Sequence, residues 1–144
     1  MSNEAEPGRS EDLLAYGRRV LSQQPFSLLL GTELEQLEPG RAVLALALQD
    51  RLKQQHGFAH GGVVSYLADN ALTYAGGSVL GDVLTSEYKI NYVRPAAGQR
   101  LVARATAVSV GKRQAVCSCH IFAIDGGAEK LVAVAQGTIA KMAA

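Results

Sequence analysis

The chain has 144 residues, of which 48% are hydrophobic and 19% charged, and its formal net charge is +1. This length suits one globular domain, and the near-neutral charge argues against a nucleic-acid binder that depends on neutralising phosphates. The unbroken aliphatic runs are far shorter than the ~20 residues that a membrane-spanning helix needs.

The N-terminal stretch MSNEAEPGRSEDLL is acidic and polar, without the basic start and apolar run of a secretion signal. We therefore expect a cytoplasmic protein with a flexible leader over residues 1–9 and a single domain over residues 10–144. A short helix is predicted from about residue 11 to residue 22, and Pro25 is expected to end it.

A change of pattern follows. Two extended runs, residues 28–37 and 42–49, flank the sequence Glu38-Pro39-Gly40-Arg41. Proline followed by glycine suits the two central positions of a tight turn, so this segment predicts a β-hairpin.

The strongest pattern in the chain runs from Gln54 to Ala75. A polar, glycine-bearing loop over residues 54–61 leads into a long helix, which Gly76-Gly77 is predicted to end. The apolar residues recur at spacings of three and four and form a band wide enough to be buried on most sides. They are Val63, Val64, Leu67, Ala68, Ala71, Leu72 and Ala75.

The remainder predicts three or four strands within residues 83–93, 100–110, 115–124 and 130–142. Good turn sequences separate them, among them Asp125-Gly126. Strands joined by short turns pair antiparallel, and a long apolar helix needs a surface to cover it. The predicted class is therefore α+β, with an antiparallel sheet wrapped around one central helix.

The two cysteines, Cys117 and Cys119, lie two apart in the third of these strands. Residues two apart in a strand share a face, so the pair is predicted to be buried side by side without bridging, and a redox role is the weaker alternative.

Two sequence blocks carry a family resemblance. His60-Gly61-Gly62 is followed by Leu67-Ala68-Asp69-Asn70, and the string TSEYKINYVRP begins at Thr85. Together they resemble the hotdog-fold acyl-CoA thioesterases of the PaaI group, over about residues 25–142. The resemblance implies an acyl-CoA substrate, no metal or redox cofactor, and a homodimer that assembles further to a tetramer. One departure is Gln54, where the family usually carries asparagine.

Thioester hydrolysis needs hydrogen-bond donors for the developing oxyanion and a base or nucleophile near the carbonyl carbon. The candidate donors are the amides of Gly61 and Gly62 at the start of the helix, although these glycines could simply permit a sharp turn. The candidate base or nucleophile is Asp69, because an unpaired carboxylate on a buried helix is costly. The alternative is a structural aspartate, either hydrogen-bonded to a neighbouring loop or solvated at the edge of the helix.

The spacing of these residues makes a prediction about assembly. Gly62 and Asp69 are seven residues apart, hence on one side of the helix but about 10 Å apart along its axis. One carbonyl group cannot contact both, so we expect a dimer in which each site takes its glycines from one chain and its aspartate from the other.

Thr85 is assigned by the resemblance as a hydroxyl that assists the attacking water. Strand alternation places Thr85 with Glu87 and Ser86 with Tyr88, so only one hydroxyl faces the helix unless a bulge intervenes. Gln54 is assigned the orienting role of the family's asparagine.

Three further groups of residues are candidates for substrate contacts. His60 is expected to fix the loop and His56 to line the pocket, and neither has the companions of a metal site. The cations Arg94, Lys112 and Arg113 lie at or beside turns, where they could bind the phosphates of coenzyme A or remain solvated.

The sequence therefore predicts an acyl-CoA thioesterase for an aromatic or medium-chain acyl group. Two alternatives share the fold: a non-catalytic acyl-CoA-binding sensor, and a hydratase, which would need a histidine and acid pair in another motif.

Overall fold

The computed structural model describes residues 10–143, so the predicted leader over residues 1–9 lies outside the described residues. The helices are α1 (Ser10–Leu21), α2 (Pro25–Leu30) and α3 (Gly61–Leu80), with a short 3₁₀ turn at Asp50–Leu52. The strands are β1 (Glu33–Glu38), β2 (Arg41–Ala47), β3 (Val83–Tyr92), β4 (Arg100–Val110), β5 (Gln114–Asp125) and β6 (Ala128–Lys141).

The six strands form one antiparallel sheet in the order β1-β2-β4-β5-β6-β3. Strands that follow one another in the chain are neighbours in the sheet, with two exceptions. Helix α3 carries the chain from β2 to β3 at the far edge, and the segment after β3 returns it to β4 beside β2. The predicted hairpins at Pro39-Gly40 and at Asp125-Gly126 are both confirmed. Gly126 and Gly127 both have positive φ, as a tight turn between two twisted strands requires.

Helix α3 lies across one face of this sheet, and the core forms between them. The side chains of Leu67 and Leu72 are completely buried, as are those of Leu101 and Ile121 on the sheet. Burying one such side chain contributes about 1.5–3 kcal/mol, so the apolar band of α3 fixes the helix on the sheet. The predicted fold class, an antiparallel sheet around a long central helix, is confirmed.

Two predicted boundaries were wrong. Residues 28–30 belong to α2 and not to a strand: Pro25 starts this helix, where a missing amide hydrogen costs nothing, and Gly31 ends it with φ of 73°. Helix α3 continues through Gly76-Gly77 to Leu80, and Gly81 ends it. Gly76 is instead a packing position, because a Cβ there would lie 2.7 Å from Cβ of Ile139.

Cys117 and Cys119 are buried, unbridged, and on the core-facing side of β5, as predicted. No helix within residues 10–143 is long and apolar enough to cross a membrane.

Candidate active site

The loop before α3 is held in place by backbone hydrogen bonds to two other segments. The His60 N–H donates to the carbonyl of Leu52, and the Ala59 N–H donates to the carbonyl of Ala96. The loop and the segment after β3 thus form the walls of an open cleft at the N-terminus of α3. The cleft has a volume of about 450 Å³. Residues on its walls include Gln54, His56, Phe58, Gly61, Tyr92 and Arg94.

The two glycine amides at the start of α3 differ in their availability. The Gly62 N–H donates to Nδ1 of His60 at 2.8 Å, so His60 caps the helix. For the Gly61 N–H, no hydrogen-bond partner is found within residues 10–143, and Gly61 lines the cleft. The sequence predicts both amides as oxyanion donors. In this geometry only the Gly61 amide is left to bind a ligand oxygen.

Gln54 and His56 both line the cleft. Gln54 closes the loop on itself: its backbone N–H donates to the carbonyl of Phe58, and its side-chain Oε1 accepts the N–H of His56. The amide NH₂ of Gln54 is the part of this side chain that remains to orient a substrate or a water molecule.

Asp69 lies near the middle of α3 and is partly buried. Oγ1 of Thr85 donates to its Oδ1 at 2.6 Å. This contact depends on a bulge in β3, where the pairing with β6 shifts between Thr85 and Glu87. The bulge places Thr85 on the same side of the strand as Tyr88. Strand alternation alone would have separated these two residues, so the hydroxyl of Thr85 faces α3 because of the bulge.

Two residues beside these groups were not identified from the sequence. Thr73, one helical turn after Asp69, has its Oγ1 3.3 Å from Oγ1 of Thr85. The spacing of four could have indicated it. Tyr92 lies in the second motif block and donates from its hydroxyl to the carbonyl of Gly61 at 3.0 Å.

The two halves of the predicted machinery are separate within one chain. Gly61 lines the cleft and Asp69 does not. Eight residues separate them, or about 12 Å along the helix axis. A carbonyl oxygen bound to the Gly61 amide therefore lies too far from this chain's own Asp69 for direct reaction.

The three candidate cations also divide into two groups. Arg94 is exposed at the wall of the cleft, and the described residues include no carboxylate within ion-pair distance of it. Lys112 and Arg113 are in the β4–β5 turn, beside the end of β6, because the Lys141 N–H donates to the carbonyl of Arg113. They lie at the opposite end of the sheet from the cleft.

The described part of the chain contains no group of three or more His, Cys, Asp and Glu side chains that could hold a metal ion. His120 is exposed on β5, opposite Val134 and Arg104 on the neighbouring strands.

Comparisons with known proteins agree with this geometry. Residues 56–130 match the model of the thioesterase superfamily, and this segment contains most of the cleft loop, α3 and β3 but not Gln54. A 1,4-dihydroxy-2-naphthoyl-CoA hydrolase from Listeria monocytogenes is 32% identical over 114 residues, which is 77% of this chain and 90% of that protein.

Solved structures give the same result. A thioesterase family protein from Silicibacter pomeroyi superposes with a TM-score of 0.83 at 36% identity, over 85% of this chain and 93% of its own. The PaaI protein from the phenylacetic acid degradation operon of E. coli has a TM-score of 0.84 at 25% identity, over 93% and 96%.

The fold and the matching segment define a hotdog-fold thioester hydrolase. The chain belongs to the thioesterase superfamily, within which it is of the PaaI type, and the resemblance identified from its two motif blocks is confirmed.

Proposed function

We propose that the protein hydrolyses acyl-CoA thioesters at sites that two chains share. In each site the Gly61 amide of one chain binds the thioester oxygen, and Asp69 of the other chain acts on the carbonyl carbon. The observation that carries the proposal is the Gly61 N–H, which has no partner within the described residues and lies in the cleft beside Arg94.

The open edge of the sheet supports the sharing of sites. Among the strands of residues 10–143, β3 is outermost and pairs with β6 alone, so along its ten residues one set of backbone groups remains available to another strand. Pairing of two β3 strands about a two-fold axis would place the two α3 helices antiparallel on one continuous sheet. The N-terminus of each α3 would then approach the middle of the other helix, where Asp69 lies. A tetramer of two such dimers is the assembly that we expect.

The reaction follows from the roles of these groups. As the carbonyl oxygen gains charge, the Gly61 N–H and the positive end of the α3 dipole stabilise it. The Asp69 carboxylate either removes a proton from an attacking water molecule or attacks the carbonyl carbon itself, forming a mixed anhydride that water then hydrolyses. In both routes the coenzyme A thiolate leaves, and no metal or redox cofactor takes part.

The cleft residues would bind the coenzyme A part of the substrate. Arg94 offers a charge for its phosphates, while the histidine ring of His56 and the free amide of Gln54 face the same space. Lys112 and Arg113 lie at the opposite end of their own sheet. The same two-fold pairing would bring them toward the cleft of the partner, so any contact of theirs with the nucleotide would be made across the dimer. The acyl group that we expect is aromatic or medium-chain, since the hydrolase from Listeria acts on an aromatic acyl-CoA by its name.

A substitution that removes a single hydrogen tests the donor. Gly61 is the first residue of α3, a position where proline is well tolerated, and His60 already has the extended backbone, with ψ of 136°, that proline requires of the preceding residue. Gly61→Pro should fold normally but lower kcat by about 10²–10³-fold, as the loss of one oxyanion donor does elsewhere.

Gly61→Ala is the matched control. It keeps the N–H, and its Cβ would lie 3.6 Å from the Tyr92 hydroxyl, an ordinary contact. A Gly61→Pro enzyme as active as Gly61→Ala in thiol release from an acyl-CoA would exclude this amide as the oxyanion donor.

A further inference from the structure

A second cavity lies on the other side of Asp69 from the cleft. It has a volume of about 190 Å³, is partly open to solvent, and is lined by α1, the C-terminal half of α3 and the start of β3. Helix α1 contributes Leu13, Tyr16 and Val20, and α3 contributes Asn70, Thr73 and Gly77. Most of the lining surface is apolar, which suits hydrocarbon better than the phosphates and amides of coenzyme A.

The cavity starts one side chain from the carboxylate. Thr73 lines it, and Oγ1 of Thr73 is 3.3 Å from Oγ1 of Thr85, which donates to Asp69. Asn70, the residue after Asp69, lines it as well. A thioester carbon placed at Asp69 would therefore have this cavity within reach of its acyl group.

We infer that this cavity receives the end of the acyl group and that the side chains of α1 set the largest acyl group the enzyme accepts. The inference rests on the proposed function and adds to it a specificity-determining wall. An apolar cavity of about 150 Å³ is large enough to bind benzene. The ligand class is thus a compact apolar group, such as one ring or a short chain, and a longer chain would meet the side chains of α1 that line the cavity.

Helix α1 is fixed firmly enough to act as a wall. The buried Tyr74 hydroxyl donates to the carbonyl of Gly17 at 2.8 Å, and Nε of Arg18 donates to the carbonyl of Leu34 at 3.0 Å. Gly17 is packed so closely that a Cβ would lie 2.7 Å from the side chains of Leu34 and Leu37. Since the helix cannot shift without breaking these contacts, the size limit should be sharp.

Val20 is the residue with which to test the wall, because it lines the cavity and is only partly buried. Val20→Phe should fill the cavity and lower kcat/KM at least about tenfold for the longest acyl-CoA that the wild type accepts, since one methylene in such a pocket changes kcat/KM by about 10–200-fold. Val20→Ala should extend the accepted length. For both variants the change in kcat/KM should be smaller on the shortest acyl-CoA than on the longest.

Ala15→Phe adds the same side chain to an exposed position of α1 outside the cavity, and its chain-length profile should match that of the wild type. If both Val20 variants keep the wild-type profile, the cavity does not bind the acyl group; a partner chain that fills it would give this result. If the wild-type enzyme hydrolyses no acyl-CoA in the series, the proposed function itself fails. Circular dichroism of each variant confirms that a changed profile does not come from misfolding, and Val20→Ala keeps the test open if Val20→Phe does not fold.

Discussion

At the scale of single residues, the contact that orients the proposed catalytic carboxylate is the hydrogen bond from Thr85 to Asp69. It holds the carboxylate in one orientation, and a hydrogen bond to a charged group contributes about 1.5–3 kcal/mol. The contact exists only because β3 carries a bulge between Thr85 and Glu87. A regular strand would have sent this hydroxyl to the other face.

Replacing Thr85 by valine keeps the shape of the side chain and removes the hydroxyl. We expect kcat for acyl-CoA hydrolysis to fall by about ten- to a hundredfold, because the carboxylate loses both its orientation and its donor. Thr85→Ser retains the hydroxyl and should keep most of the activity, measured in the same thiol-release assay. Equal turnover by the valine and serine variants would show that the contact has no role in the reaction.

The identity of the candidate site residues could be predicted where they occur in the two motif blocks, but their hydrogen bonding could not. Gly61, Gly62 and Asp69 were identified from the first block, but the sequence could not show that His60 occupies one amide and leaves the other free. That difference depends on the rotamer of one histidine. The bulge at Thr85 was equally hidden, since bulges depend on the pairing of two strands and not on the residues of one.

At the scale of elements, α3 ends at Leu80 and not at Gly76-Gly77 as its sequence predicts, and packing explains the difference. Glycine pairs often end helices, but Gly76 lies against Ile139 so closely that any Cβ at this position would force neighbouring atoms to shift. Packing against the sheet therefore overrides the weak helix propensity of glycine. Similarly, the apolar run that includes Leu28 and Leu29 is too short for its periodicity to distinguish a helix from a strand. It is helical in the structure, where Pro25 occupies the first turn of α2.

The glycine pair provides a direct comparison. In Gly76→Ala the new methyl group would lie 2.7 Å from two atoms of Ile139, which should cost about 1–3 kcal/mol of overpacking against a gain of about 1 kcal/mol in helix propensity. Gly77→Ala meets only a methyl group of Val83 at 3.3 Å and should be close to neutral. Urea denaturation gives the free energy of unfolding for both. A Gly76→Ala protein at least as stable as Gly77→Ala would contradict the packing role.

The two buried thiols of β5 should make the stability of the protein depend on pH. Burial raises the pKa of Cys117 to about 11 and that of Cys119 to about 12. The folded chain thus holds these protons at a pH where the unfolded chain releases them. The stabilisation from the two thiols is complete below about pH 9 and is lost as the pH rises through about 11 to 12.

We therefore expect the urea midpoint of the wild type to fall more between about pH 7 and about pH 10 than that of the double variant Cys117→Ala/Cys119→Ala. Tyr74, whose pKa burial also raises, is present in both proteins and cancels in the comparison. The same fall in both would show that the thiols do not titrate as their burial requires.

At the scale of the whole molecule, the sheet-around-helix architecture followed from the sequence, and so did the order of the elements apart from α2 and the 3₁₀ turn at Asp50–Leu52. Turn chemistry fixed the strand succession, and the alanine-rich band of α3 required a covering sheet. The order of strands in the sheet, and hence the open edge at β3, could not be read in this way, because register and neighbours are set by long-range pairing.

The separation of Gly61 from Asp69 is the property of the molecule on which the account depends. Within one chain these groups cannot act on the same carbonyl, so the proposed enzyme is active only as a dimer. Gly61→Pro and Asp69→Asn should each be nearly inactive as pure proteins. In a mixed dimer, one site would carry both substitutions and the other would carry neither.

Refolding the two inactive variants together in equal amounts tests this arrangement most directly. Random pairing makes half of the dimers mixed, each with one intact site, so the mixture should recover about a quarter of the wild-type specific activity. Each variant refolded alone should recover none. A mixture that forms mixed dimers, as shown by a size tag on one variant, and yet remains as inactive as its parents would contradict the shared site.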